Sequence, residues 1–184
     1  SAPLVFGSGE RMFVGTSRRR LALETAVVGV EGGPVIYATH GGAPQGTASC
    51  VSRYTASMGD AIALYTHASN IAHGQNLPSP SVMLVGHQHA FKAFVGAGEA
   101  GIASYNGPTS VKAGDGTWAC IDVGSAGGWL RGQSRMGATY AVLDVARDGV
   151  VCDLISVPIS VDAEIAALRA AGRPEHVRAL ASEL

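Results

Sequence analysis

Apolar residues along this chain come mostly in short runs rich in branched side chains, separated by glycine-containing breaks. That pattern predicts buried β-strands with tight connections. Residues 21–30 and 34–39 read as two strands joined by a turn at Glu31-Gly32-Gly33. The run Ser81-Val82-Met83-Leu84-Val85 reads as a third, fully buried strand. Three more are expected at 118–123, 139–145 and 150–157, the last two joined by a hairpin turn at Ala146-Arg147-Asp148-Gly149. Between 60 and 73 the pattern changes to a helical stripe of Ile62, Leu64, Tyr65, Ala68, Ile71 and Ala72. A tail helix follows from Val161, Ile165 and Leu168, with Ser160 or Asp162 as N-cap and Gly172 as its stop. Pro174 opens a second tail helix with Val177, Leu180 and Leu184 on one face.

The opening through Ser17 is interrupted by glycine and yields no element. Residues 90–117 hold many glycines and two β-like runs, 91–95 and 101–105, which read as an added glycine-rich hairpin. It would lie near the mouth of a site or form a surface excursion. No internal repeat or dividing linker is visible, so residues 1–184 are expected to form one unit.

Composition narrows the class without naming a function. The 184 residues are 47% hydrophobic and 15% charged, a globular balance rather than a disordered one. A formal net charge of −1 gives no general argument for nucleic-acid or membrane-surface binding. The basic cluster Arg18-Arg19-Arg20 reads as solvated surface. No apolar run reaches the roughly 20 residues that span a bilayer. Nor does the sequence carry a signal-peptide pattern, and its first residue, Ser1, suggests trimming. Cys50, Cys120 and Cys152 lack metal-type spacing and read as free thiols, which points to a cytoplasmic location.

The candidate chemistry gathers at strand ends. Gly86-His87-Gln88-His89 places two imidazoles just after an apolar run, and alternation along extended chain would send both to one side. Neutral imidazoles are good ligands for zinc, manganese or iron. Ligands in open α/β sheets collect outside the carboxyl ends of the strands. His40-Gly41 follows another such run, and Asp122-Val123-Gly124-Ser125-Ala126-Gly127 follows a third. His67, His73 and His176 read as structural or exposed. The Gly124–Gly128 turn lacks a P-loop ending, and no Gly-x-Ser-x-Gly elbow occurs. Tyr105 and Trp118 are too sparse for a nucleic-acid stacking platform.

His40-Gly41, Gly86-His87-Gln88-His89, the Gly124-Ser125 turn and the strand Ala138-Thr139-Tyr140-Ala141-Val142-Leu143-Asp144 follow one another in order. In that order the chain, from about Leu21 to Leu184, resembles the C-terminal half of the calcineurin-like metallophosphoesterases. The resemblance implies an α/β fold, half of a two-sheet αββα sandwich with mixed and antiparallel strands and two C-terminal helices. It implies two divalent metal ions in the completed site (manganese, iron, zinc or nickel), with His40 and His87 on the second and His89 on the first. Such a pair lowers the pKa of a bridging water and clamps a phosphoryl oxygen. Ser125 and Arg135 would be phosphate contacts, although a plain turn accounts for them too.

The departures matter equally. Members of that family supply their remaining ligands through Asp-x-His, Gly-Asp and Gly-Asn-His motifs in an N-terminal half. None precedes His40 here; Gly59-Asp60 and Gly114-Asp115 both come later. Val123 stands where a proline is expected before Gly-Ser, and about 32 residues separate His89 from Asp122. The chain by itself should therefore be inactive. The expected partners are a missing N-terminal half, in the same gene product or on a companion chain, and a phosphorylated small molecule or nucleotide. The alternative is a degenerate, non-catalytic member serving as a structural or interaction subunit.

Overall fold

The computed structural model describes residues 4–6, 25–30, 33–39, 57–86, 89–124 and 137–173. Its strands are β1 (Leu4–Phe6), β2 (Thr25–Val30), β3 (Val35–Thr39), β4 (Val82–Val85), β5 (Lys92–Ala97), β6 (Ala100–Asn106), β7 (Thr109–Ala113), β8 (Thr117–Asp122), β9 (Gly137–Ala146) and β10 (Gly149–Pro158). Its helices are α1 (Met58–Gly74) and α2 (Val161–Ala170). Seven strands form one sheet in the order β1-β2-β3-β4-β8-β5-β6, and three form a second in the order β7-β10-β9. The architecture is mixed α/β with two sheets, as the family resemblance implies.

The centre of the larger sheet is parallel: β3 pairs with β4, and β4 with β8. Its flanks are antiparallel, through β1, β2, β5 and β6. Both faces of this centre are covered, which is why its strands read as continuous apolar runs. Val35, Tyr37, Met83, Val85, Trp118 and Cys120 point to one side and pack against Ala61, Leu64 and Ala68 of α1. The intervening Val82, Ala119 and Ile121 pack on the other side against Val111, Ala113, Val150, Cys152 and Leu154 of the second sheet. The layers are therefore helix, large sheet, small sheet.

Helix α1 begins two residues before the start its stripe predicts. Ser57 Oγ accepts the Asp60 N–H, while the Asp60 carboxylate accepts the Ser57 N–H, closing a capping box. Asn76 ends the helix in left-handed conformation at φ +59°. The Leu77 N–H reaches back to the Ala72 carbonyl and the Asn76 N–H to that of His73, a Schellman closure. Helix α2 starts on Ser160 and closes the same way through Gly172 and Arg173. The second tail helix expected from Pro174 lies outside the described residues.

Residues 90–117 are woven into the frame. Strand β5 lies between β8 and β6, and β7 is an edge of the second sheet. Phe91, Ala93, Phe94, Val111 and Ala113 are all buried. The β5–β6 hairpin also receives Trp118, whose indole N–H donates to the Gly98 carbonyl at 2.7 Å. The ring stacks on Tyr65, with centroids 5.1 Å apart. Gly96 makes room for that indole: a Cβ there would lie 2.1 Å from the Trp118 ring and 2.6 Å from the Ala100 carbonyl oxygen. Because the Ala100 oxygen is backbone, the clash has no cheap relief. Replacing Gly96 by Ala should cost at least about 2 kcal/mol, the scale of overpacking a filled core. Urea unfolding followed by tryptophan fluorescence measures it; an unchanged midpoint would show that the indole is not confined as described.

Candidate active site at the strand ends

The parallel centre sets three strand ends side by side. Thr39 on β3 lies beside Val85 on β4, and Val85 lies beside Asp122 on β8. Two backbone bonds continue the ladder past the strands. The Gly86 N–H donates to the Thr39 carbonyl at 3.0 Å, and the Val123 N–H to the Val85 carbonyl at 3.3 Å. His40 is the next residue after Thr39, and His87 the next after Gly86. The chain thus enters both histidines from points one hydrogen bond apart.

His40, His87, Ser125 and Arg135 lie outside the described residues, whereas His89 lies within them and is half-buried. Strand β4 ends at Val85, and His89 has φ +53°. The alternation expected to align His89 with His87 therefore does not extend to it, because that rule needs extended backbone. Phe91, two residues on, is also left-handed at φ +45° and almost wholly buried. Such backbone costs on the order of 1–3 kcal/mol per residue and gathers where the fold must aim a side chain. Here it turns the chain sharply from the β4 end into β5.

Asp122 opens the Asp122-Val123-Gly124-Ser125 stretch and lies beside Val85 at the end of the neighbouring strand. It closes β8 and is fully buried. Its Oδ1 accepts the Gly124 N–H at 2.9 Å, an Asx-turn that starts the bend at Gly124, where φ is +77°. Among the described residues, no group of three His, Cys, Asp or Glu side chains is placed to hold a metal ion.

Neighbouring ionisable groups are tuned by burial. The Cys120 thiol is pushed up by burial and then by the Asp122 carboxylate. That of Cys152 is raised to about 11 by burial, with Asp153 adding to it. Both are held as thiols and are poor nucleophiles or ligands. His67 on α1 meets Tyr37 of β3 edge to face at 6.5 Å, and burial lowers its pKa. Its Nε2 is buried and has no hydrogen-bond partner among the described residues. His73 is exposed and has Ser79 Oγ at 3.1 Å from its Nε2. A cavity of about 230 Å³ opens at the opposite, amino end of β3 and β4, between Pro34, Ser79, Arg147 and Asp148. It contains none of the expected site residues.

Comparison with protein-family models finds no match, and comparison with curated proteins finds none either. Among solved structures, the chain is similar to a metallophosphoesterase from Sphaerobacter thermophilus, at 21% sequence identity with a TM-score of 0.39. The likeness is partial. It covers 64% of this chain and 47% of that one, so this chain spans less than half the length of the protein it matches. No helix among the described residues is long and apolar enough to cross a membrane.

Two measurements check the electrostatics. Native protein treated with iodoacetamide at pH 8 should leave Cys120 and Cys152 unmodified by peptide mass spectrometry, and both should react once unfolded; alkylation in the native state would contradict their burial. For His67, the folded state disfavours the charged ring, so the unfolded chain binds its proton more readily. Stability from this group is intact above about pH 6.5 and declines as pH falls below that value. The urea midpoint should consequently drop more between pH 7.5 and 5.5 in the wild type than in His67→Gln. Equal drops would remove His67 from the account.

Proposed function

We propose that this chain is the trailing half of a metal-dependent phosphoesterase, one that hydrolyses a phosphomonoester or phosphodiester once an N-terminal half completes the site. The observation that carries the reading is the Gly86–Thr39 backbone bond, which brings the chain entries of His40 and His87 to adjacent strand ends. His89 follows on the same connection. Three imidazoles leaving neighbouring ends of parallel strands are a donor set suited to a borderline divalent ion such as manganese, iron, zinc or nickel.

The same donor set explains why a second half is needed. Neutral imidazoles bring no negative charge, and a pair of divalent ions requires bridging carboxylate. Asp122, beside Val85 at the end of β8, accepts a bond from the Gly124 backbone. In the completed site His40 and His87 would hold one ion and His89 the other. When bound, such a pair supplies an activated water and charge neutralisation at phosphorus. This chain's own share is to orient the imidazoles from a rigid sheet edge. Through the Asp122 turn it also leads into Ser125, whose backbone N–H and hydroxyl would meet phosphate oxygens, the Gly124 N–H being held by Asp122. Arg135 would add charge to that contact. The substrate class is a phosphorylated small molecule or nucleotide, and the setting is expected to be cytoplasmic.

The test has two arms. Titration calorimetry with manganese or zinc should show binding by the 184-residue chain that weakens about tenfold or more in His87→Ala and His89→Ala, since losing even a residue that only supports a ligand costs about 10–100-fold. Hydrolysis of a chromogenic phosphodiester should be absent from this chain alone. It should appear when a polypeptide carrying Asp-x-His and Gly-Asn-His motifs is added, and vanish with His87→Ala. Metal binding without turnover in the completed assembly would favour a non-catalytic structural subunit. No binding at all would overturn the metal reading.

A further inference from the structure

Strand β6 is one edge of the seven-stranded sheet, bonded to β5 on one side. On its other side the backbone has no partner among the described residues. Edges of this kind attract other strands, so proteins guard them with shortness, charge or proline. Of the other edges, β1 has three residues, β7 carries an exposed Lys112, and β9, which exposes Tyr140, Val142 and Val145, also carries an exposed Asp144 before the Arg147-Asp148 turn. Strand β6 has seven residues, Ala100 to Asn106, with neither a charge nor a proline. Ile102 is 60% and Tyr105 41% exposed. The bulge against Val95 and Gly96 disturbs its hairpin end, while pairing from Ala103 to Asn106 is regular.

We propose that β6 is a homodimer interface, pairing antiparallel with β6 of a second copy of this chain so that two seven-stranded sheets become one. Charge placement selects both the occupant and the direction. The edge itself is neutral, so an identical neutral edge meets it without repulsion. At one end of β6 the hairpin turn carries the exposed Glu99. At the other, Lys92 of β5 lies opposite Asn106, with its ammonium 5.6 Å from the centroid of the Phe94 ring. Antiparallel pairing brings the Glu99 end of each copy toward the Lys92 end of the other. Parallel pairing would set Glu99 beside Glu99, an unfavourable like-charge contact. The twofold arrangement is closed, so it yields a dimer rather than a fibre.

This inference is independent of the phosphoesterase reading and its test needs no activity. Sedimentation velocity of the 184-residue chain over a wide concentration range should show a reversible dimer. Ile102→Lys and Tyr105→Lys, both at exposed positions, should each raise the dimer dissociation constant about tenfold or more. Far-UV circular dichroism and the thermal midpoint of the monomer should stay unchanged. Amide exchange in residues 101–106 should slow as concentration rises. A chain that stays monomeric throughout, or a dimer that neither lysine weakens, would overturn the proposal. So would concentration-dependent protection that falls outside β6.

Discussion

Everything in this molecule depends on β8 being buried on both faces at once. Its six residues alternate between two cores: Trp118 and Cys120 toward α1, Ala119 and Ile121 toward the second sheet. A slip of one residue against β4 would exchange those sets and push the indole into the space that Ala119 now leaves for the second sheet. The Trp118 bond to Gly98 and the stack on Tyr65 fix the indole from two further directions. Burial therefore specifies register, and register sets the strand ends of β3, β4 and β8 beside one another.

The site inherits its layout from those ends. The chain leaving β4 is held first by the Gly86 bond to Thr39 and again by the burial of Phe91. His89 sits between these two anchors, on backbone that ordinary side chains avoid. On the next strand Asp122 is buried where a carboxylate would normally seek water, and it accepts a bond from the turn it starts. Left-handed backbone and a buried carboxylate are both costs that the double-sided core holds in place.

Much of this frame was legible in the sequence, for a physical reason. Strands β3, β4 and β8 are buried on both faces, so their apolar runs are unbroken, and the histidines stand out as the first polar residues beyond them. Strand β7 was not legible, because Thr109-Ser110-Val111-Lys112-Ala113 buries one face only and sits among glycines. The role of 90–117 was likewise hidden: local pattern shows that a strand exists but cannot say that β5 will insert between β8 and β6. The start of α1 moved because a capping box, rather than the apolar stripe, sets it. Asp122 looked like the polar start of a turn; its burial follows from its place beside Val85, which no single segment encodes.

Fold and chemistry are thus separable in this chain. The strand ends are joined by backbone hydrogen bonds and by two apolar cores, and no described feature of that frame requires a bound ion. The chain entries of His40 and His87 lie at adjacent strand ends, and the Asp122 carboxylate on the next strand accepts a bond from the backbone. Under the proposed function, these strand ends would form one part of a composite site. Such a part would have to hold its histidines in position before its complement arrived, since imidazoles that needed the ion to order them would pay that entropy at the moment of binding. The double burial of β8 supplies that preorganisation, linking the centre of the core to the edge where the chemistry would take place.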